Sequence, residues 1–210
     1  AALILSDRKL IRKPLAGGPE QVVAEAPGPV WGTVRDRHLN TAVALVSMNE
    51  RSAYSWFAPE LAAVHGTLSR AFKDRDVALH AWSRDRTRFV ARLSSPGAPG
   101  EWWLFDKARK ELSPLGEEYP ELKGATLGTT TWITYKASDG MEIPAYFTLP
   151  PGTRPGSKPP LVVMPHGGPS IRDVYDFDYM AQFLASRGYA VLQPQFRGST
   201  GFGAEFRKAG

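Results

Sequence analysis

Near Leu127 the apolar residues change the period in which they recur, and a single layered architecture does not accommodate both patterns. Before that point the chain consists of short apolar runs separated by charged or Gly/Pro turns. Residues 3–5, 43–48, 77–82, 88–93 and 102–105 each suit a strand. Ser83-Arg84-Asp85-Arg86 and residues 94–100 suit the turns between the last three. Three successive strands over 77–105 make an antiparallel meander, the unit of a propeller blade and of many sandwiches. One stretch departs from this pattern: from Pro59, Leu61, Val64, Leu68 and Phe72 recur at three- and four-residue steps, which predicts a helix between strands. His65 lies along it and reads as a helix-face residue rather than a ligand.

Residues 117–123 read as a linker. Residues 130–136 and 143–149 are β-rich runs around Ser138-Asp139-Gly140, a hairpin turn. Residues 150–160 are rich in Pro and Gly and predict a loop. The pattern then becomes α/β. Residues 161–164 form a continuous apolar run, expected of a buried strand in a largely parallel sheet. Phe177, Met180, Phe183 and Leu184 make an apolar stripe at helical spacing, with Asp176 and Asp178 at its start and Arg187-Gly188 at its end. Residues 189–192 predict the next buried strand. Strand, helix and strand in this order form a βαβ unit with a right-handed crossover.

Two glycine motifs follow these strands. Pro165-His166-Gly167-Gly168-Pro169 comes directly after the first. Two glycines at a strand end permit a sharp turn that leaves backbone N–H groups uncovered. Such donors can hold the oxyanion formed when a nucleophile attacks an acyl carbonyl. A plain Gly turn at a strand end is the other reading. Gln195-Phe196-Arg197-Gly198-Ser199-Thr200-Gly201-Phe202-Gly203 follows the second strand; it lacks the Lys-then-Ser/Thr spacing of a phosphate loop. Together the motifs resemble the prolyl oligopeptidase family of serine peptidases, and within it the acylaminoacyl-peptidase-like branch. Gln195 is a departure, since the family often carries Asn there.

The resemblance implies a mixed fold: the C-terminal part of a β-propeller built of antiparallel meanders over residues 1–123, then the N-terminal part of an α/β-hydrolase domain over 124–210. It implies a serine peptidase acting through an acyl-enzyme, of which this chain is an internal segment. Gly168 would supply an oxyanion N–H, with Gly167 and His166 shaping its loop. Arg197 and Arg172 are candidate substrate contacts; for Arg172 the alternative is a surface ion pair with Asp173. No Gly-x-Ser-x-Gly occurs, so nucleophile, acid and base are expected beyond Gly210, and the segment alone is expected to be inactive. Ser170 and Ser199 are then not nucleophiles, and His38 and His80 are structural. Glu117-Glu118 is similar to the acidic pair that holds a free N-terminus in dipeptidyl peptidases, although it falls in the expected linker. An esterase of the same fold, or a non-catalytic β-rich interaction module, are the competing readings.

Composition narrows the partners. There is no cysteine, which removes disulfides and thiol chemistry; this favours the cytoplasm and also permits a periplasmic parent. The net charge of +5 comes from basic residues interleaved with acids, as in Arg84-Asp85-Arg86, rather than from a nucleic-acid-binding block. No apolar run approaches the roughly 18 residues of a membrane span. The expected partners are a peptide substrate, the remainder of the same polypeptide and other copies of the chain; no nucleic acid, membrane, metal or cofactor is expected.

Overall fold

The computed structural model describes residues 2–6, 8–168 and 170–210. The chain divides into two compact units. The first comprises Ala1–Gly66, Pro169–Arg172 and Arg197–Gly210; the second comprises Thr67–Gly168 and Asp173–Phe196. The division falls inside the helix over residues 59–71, and the last meander groups with the α/β sheet in the second unit.

The first unit holds two three-stranded antiparallel sheets. One is β1 (Ala2–Leu5), β2 (Lys9–Lys13) and β3 (Gln21–Glu25); the other is β4 (Val30–Asp36), β5 (Thr41–Met48) and β6 (Ser52–Trp56). Leu10, Ala26 and Leu45 form a buried core, with Ala24, Val30 and Ala42 packed against it. Asp36 closes the β4–β5 turn: buried, its Oδ1 accepts from the backbone N–H of His38 at 2.9 Å and of Leu39 at 3.2 Å. That is an Asx turn, and Asn40 completes it in the left-handed region at φ 51°. The helical stripe is borne out: α1 spans Pro59–Ala71, with Glu60 and Arg70 matching its dipole and Leu61, Val64 and Leu68 buried. His65 packs against the rings of Tyr54 and Trp56, as a helix-face residue should.

The second unit opens with a complete four-stranded meander, β7 (Asp76–Trp82), β8 (Arg88–Ser95), β9 (Ala98–Asp106) and β10 (Glu111–Glu117), in the order β10-β9-β8-β7. The expected linker therefore begins as a strand. Pro114 sits on this edge strand, where the missing N–H removes no central ladder bond, and a bulge separates it from Gly116. Val77, Leu79, Phe89, Ala91, Leu93 and Phe105 form the buried face of the meander.

A second sheet follows in the order β11-β12-β14-β13, from β11 (Thr129–Lys136), β12 (Glu142–Leu149), β13 (Leu161–Val163) and β14 (Ala190–Pro194). Helix α2 (Tyr179–Ser186) joins β13 to β14, which pair in parallel. The βαβ unit is therefore present, but β11, β12 and β14 pair antiparallel. Two expectations need correcting. Strand β13 is not buried: it lies at the sheet edge, and Leu161 and Val163 are 53% and 56% exposed. The apolar stripe of α2 also faces outward, with Met180 41% and Phe183 53% exposed, while Ala181, Gln182 and Ala185 are buried. Close approach admits only short side chains and one amide that finds partners; the longer apolar side chains are turned away.

Candidate active site

Backbone pairing continues one residue past β13, where the Met164 N–H donates to the Leu192 carbonyl at 2.8 Å. The chain then turns through His166, Gly167 and Gly168. His166 Nδ1 lies 2.7 Å from the Gly167 carbonyl oxygen. Its ring stacks on Phe196, with centroids 4.4 Å apart and planes 23° from parallel. The second residues of the two glycine motifs are thereby braced face to face. Gly168 adopts φ +125°, a conformation that L side chains rarely enter. It is exposed, and among the described residues no acceptor meets its N–H. At Gly167 a Cβ would meet nothing within 4 Å, so packing does not demand glycine there. Pro169 lies outside the described residues.

Fully buried Gln195 holds the neighbouring loop. Its Oε1 accepts from the Asp173 N–H at 3.2 Å, its Nε2 donates to the Asp173 carbonyl at 3.0 Å, and its own N–H donates to the Pro144 carbonyl at 2.8 Å. The departure from the family's Asn thus serves as a two-way clamp, which the sequence did not reveal.

Arg172 is neither a surface ion pair nor available at the surface. It is 5% exposed, Nη1 donates to the Met48 carbonyl at 3.0 Å, Nη2 donates to the Asn49 carbonyl, and the guanidinium lies 4.3 Å over the Phe202 ring. Its role is to hold the Phe202 loop to the end of β5 within the first unit. A Cβ on Gly201 would come within 2.8 Å of Arg172 Nη1, and Gly201 has φ +83°, so glycine is required twice over. Ser199 is fully buried, which suits a structural hydroxyl. Arg197 is half-buried.

Glu118 is engaged with neighbouring side chains. Arg92 Nε and Nη2 donate to its two oxygens at 2.7 and 2.8 Å, and Trp102 Nε1 donates at 3.2 Å. Arg92 also donates to Asp176 at 2.7 and 3.1 Å. Hydrogen bonding from Arg92, first of all, holds the Glu118 carboxyl below the usual carboxylate range; bonding to Glu118 raises the Arg92 guanidinium further above its ordinary value. His80 packs edge-on against Trp102. Among the described residues no group of His, Cys, Asp or Glu could hold a metal ion, and no helix is long and apolar enough to cross a membrane.

Residues 175–210 match the prolyl oligopeptidase family. The chain is 31% identical over 203 residues to dipeptidyl aminopeptidase BIII of Pseudoxanthomonas mexicana, covering 93% of this chain and 29% of that protein. It is 46% identical over 57 residues to the human acylamino-acid-releasing enzyme, covering 25% of this chain and 8% of that protein. It is similar in fold to a puromycin-hydrolyzing peptidase of Mycobacterium tuberculosis, with a TM-score of 0.65 at 22% identity, over 96% of this chain and 32% of that one. The chain therefore spans less than a third of the length of these relatives. The resemblance drawn from the two glycine motifs is borne out, as is the mixed fold of antiparallel meanders followed by a βαβ element.

Proposed function

We propose that this chain, whose residues 175–210 carry the prolyl oligopeptidase family's sequence, contributes the oxyanion loop of a serine peptidase. The peptidase cleaves peptides through an acyl-enzyme. One observation carries the reading: Gly168 stands exposed in the loop that follows β13, in a conformation reserved for glycine, with its N–H unbonded among the described residues. A backbone donor in the loop after this strand is one half of the α/β-hydrolase oxyanion hole, and the other half follows the nucleophile. Gly167 and His166 set the loop's shape, the latter through its stack on Phe196. No triad residue lies in this chain on this reading. The propeller part ends and the hydrolase part begins near residue 124, between β10 and β11. The names of the relatives point to dipeptidyl or acylaminoacyl peptides as substrates.

The test is Gly168→Ala in the full-length protein, assayed on dipeptidyl and acylaminoacyl p-nitroanilides. A methyl group at this φ displaces the donor, so kcat is expected to fall by about 10²–10³ with little change in KM. Unchanged kcat in a correctly folded variant would remove Gly168 from the mechanism.

A further inference from the structure

We propose that a cleft in the first unit binds the free carboxylate that ends a short peptide, with Arg207 pairing the carboxylate and Trp31 packing against the terminal side chain. The cleft measures about 550 Å³, and its described lining residues all belong to that unit, among them Ser6, Val30, Trp31, Ser170, Gly201 and Arg207. That volume falls in the range of about 300–1,000 Å³ usual for small-ligand sites.

The lining chemistry selects the ligand. Among the described lining residues Arg207 is the only charged one, and no described carboxylate pairs with it. A planar guanidinium favours a carboxylate held by two parallel hydrogen bonds. A second guanidinium lies beside lining residue Gly201: a Cβ there would come within 2.8 Å of Arg172 Nη1. Arg172 is buried on two backbone carbonyls, so its charge adds to the local field without reaching the ligand. Beside these cations stand Val30 and the 42% exposed indole of Trp31, which give an apolar neighbour a surface to cover. A bare phosphate would leave that surface unused, whereas a carboxylate attached to an apolar side chain uses both. The choice of a peptide as source of that carboxylate rests on the peptidase reading above; the cleft itself does not.

Calorimetric titration of the full chain with N-acetyl-phenylalanine, N-acetyl-phenylalaninamide and inorganic phosphate tests the proposal, and because binding rather than turnover is read, its failure is distinct from failure of the peptidase reading. We expect saturable binding of the acid, no measurable binding of the amide, and weaker binding of phosphate than of the acid. Arg207→Gln should weaken the acid by about tenfold or more, since a charge-assisted pair is lost. Arg207→Lys should recover part of this, and Trp31→Ser should weaken the acid but not phosphate. Arg207 is exposed, so thermal melts of its variants should match the parent, and the Lys variant keeps the test alive should the Gln variant unfold. Equal affinity for acid and amide, phosphate binding as tightly as the acid, indifference to Arg207→Gln, or no saturation with any probe would overturn the proposal.

Discussion

Arg172 shows how a side chain can be misjudged from its neighbours in sequence. Beside Asp173 it suggests an exposed ion pair, yet its carbonyl partner Met48 lies 124 residues earlier. No local pattern encodes that distance. Its replacement by Met should strip the Met48 and Asn49 carbonyls of their donor and cost about 1–3 kcal/mol, because buried acceptors left unmade carry a desolvation penalty. Urea midpoints of parent and variant measure this. Gly201→Ala should cost a similar ~1–3 kcal/mol by strain at positive φ and by the clash with the same guanidinium. If Gly201→Ala melts like the parent, the close approach of Arg172 is wrong. Glycine positions were legible from sequence because glycine enters such φ values without strain; which glycine meets which side chain was not.

Helix α2 illustrates the same division among elements. Its start was readable, since Asp178 is a strong cap residue, and Oδ1 accepts from the Met180 and Ala181 N–H groups at 2.9 Å each. Its end was readable from Gly188 at φ +90°. Its buried face was not. Gln182, buried, receives the Gly128 N–H at 2.7 Å and donates to the Pro96 and Gly128 carbonyls at 2.9 and 3.2 Å. A polar residue satisfied on both ends of its amide can be buried without penalty, and a reading by hydrophobicity passes over it. Asp178→Ala should cost about 0.5–2 kcal/mol as a lost cap, and somewhat more here because Oδ2 also accepts from Gln193 Nε2 at 2.9 Å. Asp178→Asn should recover most of the cap term; thermal melts of the two variants separate the contributions.

Across the second unit, Arg92 joins the end of the meander to the segment before α2 through Glu118 and Asp176, and this makes stability depend on pH. The folded-state pKa of Glu118 lies below its unfolded value of 4.5. Its contribution is therefore complete above that value and is lost as pH falls through the lower folded one. Denaturant melts between pH 7 and pH 3 should show the parent losing more stability than Glu118→Gln below about pH 4.5, and parallel curves would refute the linkage. The same unit exposes Leu161, Val163, Met180 and Phe183, an apolar surface of the sort that drives association. Phe183→Glu should lower light scattering at fixed concentration without lowering the melting temperature, because that ring is 53% exposed. By itself the sequence determined the order of strand types, the α1 stripe, the βαβ element and both glycine motifs, since each depends on residues within a few positions of one another. Only the tertiary structure decided that α2 buries alanines and a glutamine, that β13 is an open edge, and that Arg172 is interior. Those outcomes depend on partners brought close by chain folding over long separations, and no local periodicity carries that information.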